Sequence, residues 1–132
     1  MIWLVFGSTF VLDQVLKFIF LHFSPYYTSI NNGALAFNNS QAIIITILFI
    51  LLIIGLFLRD RKLLMSYFIS STGLGLVLGG SASNLIDRFT RGGVIDLGLF
   101  ALRTNLADLS VFVGLFLLFY FYFSRKIVEK NN

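Results

Sequence analysis

Four apolar runs, at about residues 2–22, 42–58, 63–86 and 107–123, decide what this chain can fold into. Runs of this length and character read as membrane-spanning helices. The second, Ala42 to Leu58, is uncharged. Its seventeen residues, at about 1.5 Å each, reach roughly 25 Å, a little short of a bilayer core but workable. The fourth is also short unless Ala107 and Asp108 lie inside the membrane boundary; Tyr120 and Tyr122 can anchor its far end. The chain is 58% hydrophobic and only 12% charged, whereas a soluble domain carries about 25% charged residues. Its 132 residues allow a single unit, 1–132, with no second domain. The first run lacks a basic n-region, contains Asp13 and is followed by no small-residue cleavage site, so it reads as a retained helix rather than a secretory signal.

Basic residues set the expected orientation. The link after the second run (Arg59, Arg61, Lys62) and the C-terminal tail (Arg125, Lys126, Lys130) share one side of a four-span chain and carry six of them. The opposite side carries three, Arg88, Arg91 and Arg103. The positive-inside rule then places both termini in the cytoplasm of a multi-pass protein. The expected architecture is an all-α membrane protein, a four-helix transmembrane bundle with small extracytoplasmic loops. The first outer loop, Phe23 to Ser40, contains the lone Pro25 and can hold a short β element, although its alternation is weak.

Several chemistries are excluded early. There is no cysteine, so disulfides, thiol nucleophiles and thiolate metal sites are out. His22 is the single histidine, so no histidine-built metal site is expected, and no cofactor is implied. The net charge of +4 does not indicate nucleic acid, because the aromatic residues lie inside apolar runs rather than among basic ones.

What remains is a small set of polar residues that an apolar chain retains at a cost. Asp13 and Lys17 are four apart on one helix face, acid first, and read as an ion pair pointing into the bundle. A packing role is the stronger reading for that pair, since buried pairs often specify arrangement. Asn31-Asn32-Gly33-Ala34 reads by itself as a turn. Gly73, Gly75 and the stretch Gly79-Gly80-Ser81-Ala82-Ser83 form a small-residue face for close helix approach. Asn84 and Arg88 share a face, and Arg88 has Asp87, Asp96 or Asp108 as possible partners; Arg88, Arg91 and Arg103 can each also meet lipid headgroups. Asp96 lies in the apolar patch Val94-Ile95-Asp96-Leu97, where a bare charge is costly. Asp108 opens the fourth run, but Asn105 can cap that helix in its place. Two carboxyls brought together supply an acid and a base from identical side chains. Asp96 and Asp108 are the pair that spacing permits.

Taken in order, these blocks resemble lipoprotein signal peptidase, the type II signal peptidase of bacteria. Asp13-Gln14 with Lys17, Asn31-x-Gly33-Ala34 with Phe37, Gly79-Gly80 with Asn84, Asp87-Arg88 and Gly93-Val94-x-Asp96, and Asn105-x-Ala107-Asp108 match its four motifs. The resemblance implies an aspartyl endopeptidase at the outer face of the cytoplasmic membrane. It implies Asp96 and Asp108 as the catalytic pair, with Asp13, Lys17, Asn31, Gly33, Asn84, Arg88, Asn105 and Ala107 in support. The implied substrate is a diacylglyceryl-modified prolipoprotein, from which the signal peptide is cut just before the lipidated cysteine. Membrane lipid is the surrounding partner, and no oligomer is implied. The chain departs from the family pattern at Ser83, Leu97 and Thr104, in a longer Ala34-Leu35-Ala36-Phe37 segment and in a shorter stretch between the aspartates. The alternative class is a small non-enzymatic four-helix membrane protein that binds or transports a lipid-like or cationic ligand. That reading needs an acid in mid-span facing a cavity, and Asp13 is the only candidate.

Overall fold

The computed structural model describes residues 1–34, 37–59, 67–99 and 102–131, and it is mostly helical. Four long helices are α1 (Ile2–Phe23), α2 (Asn39–Arg59), α3 (Phe68–Arg91) and α4 (Leu106–Asn131). Three stretches, Ile2–Phe23, Asn39–Leu56 and Leu106–Ser124, are long and apolar enough to cross a membrane. The basic link at 60–62, the start of the third run at 63–66, and Leu35 and Ala36 lie outside the described residues.

The packing is inverted relative to a soluble bundle. Large apolar side chains such as Trp3, Leu12, Phe18, Leu48, Leu52, Phe112 and Phe116 point outward. Asp13, Lys17, Ser83 and Asp87 are buried inside. Such an exterior suits lipid, which solvates apolar side chains as well as a core does. On α1 the buried positions Thr9, Asp13 and Lys17 recur every four residues, so one stripe of that helix turns inward.

Helix α3 is the hub, packing against both α1 and α4 and more thinly against α2. Its glycines make this possible. A Cβ on Gly79 would lie 2.7 Å from the Phe6 carbonyl of α1, and one on Gly75 2.7 Å from Val5 Cβ. On the other flank, a Cβ on Gly73 would meet the Gly114 carbonyl of α4 at 2.9 Å. The small-residue face read from the sequence is thus two contact lines, one for each neighbour.

The chain also contains more β structure than an all-α bundle. A short 3₁₀ turn (Pro25–Tyr27) leads into β1 (Thr28–Asn31). Strands β2 (Gly33–Ala34) and β3 (Phe37–Asn38) pair antiparallel as a small ladder. After α3 come β4 (Val94–Leu99) and β5 (Leu102–Thr104), and the three-stranded order is β1-β4-β5, all antiparallel. The β element expected in the first outer loop is therefore joined by two strands from the second. Central strand β4 is buried from Val94 to Leu97, and a strand buried on both faces shows a continuous apolar run instead of alternation. Gly92 makes the turn from α3 into β4 with φ of 73°, a left-handed conformation that suits a residue without a Cβ.

Candidate active site

Asp96 and Asp108 arrive from different elements. Asp96 is the third residue of β4, opposite Ser29 of β1, and only 4% exposed. Asp108 is the third residue of α4 and lies at the surface. Asn105, immediately before α4, joins them. Its Nδ2 donates to Asp96 Oδ1 at 3.0 Å and to Asp108 Oδ2 at 3.1 Å. The two carboxyls therefore flank one amide nitrogen.

The other two carboxylate oxygens are also met by asparagines. Asn31 Nδ2 donates to Asp96 Oδ2 at 3.1 Å, and Asn84 Nδ2 donates to Asp108 Oδ1 at 2.7 Å. Three amides thus serve four oxygens. Two of these amides are oriented from behind. Asn105 Oδ1 accepts the backbone N–H of Asp108 at 2.8 Å, the bond of a helix N-cap, so its NH₂ must face the acids. Asn84 Oδ1 accepts from Lys17 Nζ at 3.0 Å. An ammonium has donors only, so it takes the carbonyl end of Asn84 and leaves the NH₂ for Asp108.

A second cluster has Asp13, Lys17, Ser83 and Asp87 enclosed at its centre. Lys17 Nζ lies 2.6 Å from Asp13 Oδ2 and 2.6 Å from Asp87 Oδ2; the latter is an ion pair without hydrogen-bond alignment. Arg91 closes onto Asp87 and donates to Gln14 Oε1 at 3.2 Å. Gln14 Nε2 in turn donates to Ser83 Oγ at 2.8 Å and Asp87 Oδ1 at 2.9 Å. Ser83 Oγ donates to Asp13 Oδ2 at 2.7 Å. Finally, Asp13 Oδ1 accepts the Ala107 N–H at 2.8 Å, so a carboxylate of α1 satisfies an open backbone donor at the start of α4.

Most of the residues singled out in the sequence meet in these two clusters. Asp13 and Lys17 form the inward-facing pair expected of them. Ala107 is fully buried, and α3 approaches its carbonyl at Gly80 so closely that no Cβ fits there. Gly33 lies in the β2–β3 ladder, outside the hydrogen-bonded clusters. Arg88 is 8% exposed and within electrostatic reach of Asp108, Asp96 and Asp87, but its Nε and Nη1 have no hydrogen-bond partner among the described residues. Arg91, read as a candidate for lipid headgroups, pairs with Asp87 instead. Gln14 and Ser83 belong to the buried network although neither drew a separate site reading. The i,i+4 spacing of Asp87 and Arg91 was the one local signal available for that pair.

A cleft of about 340 Å³, lined by Ser29, Ile30, Asn31, Asn32 and Asp96, opens beside Asp96. A chain with an apolar exterior therefore offers a carboxyl pair at an accessible edge. Two carboxyls that flank one amide can supply an acid and a base from identical side chains. General acid–base hydrolysis needs that combination.

Residues 5–124 match the family described as signal peptidase (SPase) II. A lipoprotein signal peptidase of Helicobacter acinonychis (strain Sheeba) is 33% identical, over 93% of this chain and 85% of the relative. One from Helicobacter pylori (strain ATCC 700392 / 26695) is 34% identical, over 92% and 87%. A solved bacterial membrane enzyme, determined by the in meso method at 2.3 Å resolution, shares the fold with a TM-score of 0.77. It is 24% identical, with 95% of this chain and 88% of that one covered.

Proposed function

The chain belongs to the signal peptidase II family, and from that premise we propose that Asp96 and Asp108 are its proteolytic dyad. As a family member it is a bacterial membrane protease that removes signal peptides from prolipoproteins. The finer reading is an aspartyl mechanism acting on diacylglyceryl-modified prolipoproteins at the outer face of the cytoplasmic membrane. Helix α3 is the fourth span, its polar residues turned toward α1 and α4, and both termini are cytoplasmic.

The observation that carries the mechanism is the amide of Asn105 shared between the two carboxyls. It holds them side by side through a neutral donor, so one proton can sit on either. The ionised carboxylate takes a proton from water as the water oxygen adds to the scissile carbonyl carbon. The protonated carboxyl gives its proton to the carbonyl oxygen. The C–N bond then breaks as one carboxyl protonates the leaving nitrogen and the other takes a proton from a hydroxyl of the tetrahedral intermediate, which restores the single proton on the pair. The two groups titrate as a unit, so separate roles are not divided between them.

The transport alternative loses its key group. Asp13 is held by Lys17, Ser83 and the Ala107 N–H, which leaves no free acid in mid-span among the described residues. The deciding experiment is cleavage of a diacylglyceryl-modified prolipoprotein by the purified chain in detergent. The intact chain is expected to release the signal peptide, and Asp96→Asn or Asp108→Asn to abolish release while substrate still binds. Near wild-type cleavage by either variant overturns the dyad.

A further inference from the structure

We infer that Lys17 is a positioning residue for the reaction, acting on Asp108 through the side chain of Asn84. The inference rests on the dyad proposed above but goes beyond it, because it gives a buried helix-packing charge a part in catalysis. Lys17 is fully buried and its ammonium meets three oxygens: Asp13 Oδ2, Asp87 Oδ2 and Asn84 Oδ1. The two carboxylates fix where the ammonium sits. The third contact fixes which way Asn84 faces.

That choice matters because an asparagine amide has a donor end and an acceptor end of similar size. With the NH₂ toward Asp108, Asn84 supplies the 2.7 Å bond to Oδ1. Turned over, it would set a carbonyl oxygen against a carboxylate oxygen, which is repulsive whenever Asp108 is ionised. Lys17 makes the second orientation unfavourable at both ends, since it would then face an NH₂. The ammonium also polarises the amide it touches and strengthens the N–H bond on the far side. Asp108 is therefore held in place by a charge it never contacts. The charged groups around this path are Asp13 on α1, Asp87, Arg88 and Arg91 on α3, and Asp96 on β4.

The test is a double-mutant cycle between Lys17→Met and Asn84→Ala, reading kcat and kcat/KM per folded molecule together with the pH dependence of kcat/KM. With Asn84 present, Lys17→Met is expected to lower kcat by roughly tenfold, the scale seen when the partner that orients a functional group is lost. The acidic limb of the pH profile is expected to move upward, because the singly ionised pair loses an oriented N–H donor. Lys17→Arg, which keeps a cationic donor, is expected to restore most of the rate. In the Asn84→Ala background, the same Lys17→Met change is expected to cost no more than about twofold, since coupled residues are non-additive. Equal losses in both backgrounds, or no loss with Asn84 present, overturn the inference and leave Lys17 a packing residue. Should Lys17→Met not fold, the cycle is run with Lys17→Met paired with Asp87→Asn, which removes a buried anion with the cation, and is read the same way. Turnover by Asp108→Asn measured alongside overturns the dyad itself, separately from the path through Asn84.

Discussion

Two groups of aspartates lie a few bonds apart in this molecule and are treated in opposite ways. Asp13 and Asp87 are enclosed, and each meets a cation. Asp96 and Asp108 meet only neutral amides among the described hydrogen bonds, and one of them lies at the surface. A cation holds a carboxylate in one charge state. A neutral amide N–H orients a carboxyl while opposing its protonation less than a full charge does. Shared chemistry at the side chain thus becomes structure in one place and reactivity in the other, and the partners make the difference.

The largest effect that can break this contrast is on turnover. Asp96→Asn and Asp108→Asn are nearly isosteric, and each removes a proton-exchanging group. Each is expected to lower kcat by roughly 10³-fold or more, with the double change adding little, as for groups that act as a unit. Thermal unfolding in detergent is expected to change far less, because each asparagine keeps one acceptor oxygen for the surrounding amides and leaves no buried charge unpaired. A variant that unfolds instead of losing turnover would put Asp96 or Asp108 with the structural pair.

Asp13→Asn is the matching change in the other cluster. It leaves Lys17 with Asp87 as its one anionic partner among the described residues and weakens the acceptor for the Ala107 N–H. Breaking one side of a buried ion pair costs about 3–5 kcal/mol, so the melting temperature and yield are expected to fall at least as far as activity per folded molecule. A well-folded but inactive Asp13→Asn protein would move Asp13 into the reaction and erase the distinction.

The sequence carried the helices and the identity of the acids more clearly than their partners. Apolar runs are long and local, so α1, α2 and α4 could be read from them directly. The acids stood out because an apolar chain keeps few charges. Partners were harder, because they are set by long-range geometry that no periodicity encodes. Asp13 meets Ala107 across 94 residues, and Gln14 meets Asp87 across 73. Strand β4 was hidden for a different reason. Its buried run Val94 to Leu97 alternates too little to signal a strand, and its partner β1 is far off in the sequence, with Asn31 opposite Val94. Asn105 could be read as a helix cap, but its second duty between two carboxyls needed β4 in place.

A smaller effect tests whether the two clusters share one scaffold. Gly80 lies where α3 touches the Ala107 carbonyl, one residue before Asp108, with Val111 Cγ2 at 3.0 Å from any added Cβ. Gly80→Ala forces α4 away from α3 and is expected to cost about 1–3 kcal/mol, the usual range for overpacking. Its effect on kcat is expected to exceed that of Gly7→Ala, since a Cβ on Gly7 meets nothing within 4 Å. Equal activities for the two variants would mean that the acids tolerate a displaced helix start.

The smallest effect belongs to the rim of the buried cluster. Arg91 pairs with Asp87 one helical turn away, but its side chain is 30% exposed, whereas Lys17 is fully enclosed. Exposed pairs are screened and are worth about 0–1 kcal/mol. Asp87 also keeps Lys17 when Arg91 is removed, so no buried charge is stranded. Arg91→Gln is therefore expected to lower stability by about 1 kcal/mol or less, with activity per folded molecule retained. The side-by-side measurement is thermal unfolding of Arg91→Gln and Asp13→Asn in one detergent. If Arg91→Gln proves as damaging as Asp13→Asn, then Lys17 alone does not hold the two inner aspartates. The enclosed cluster would depend on a charge at its edge, and the boundary between a locked pair and an open one would lie nearer the surface than the burial of Asp13, Lys17 and Asp87 implies.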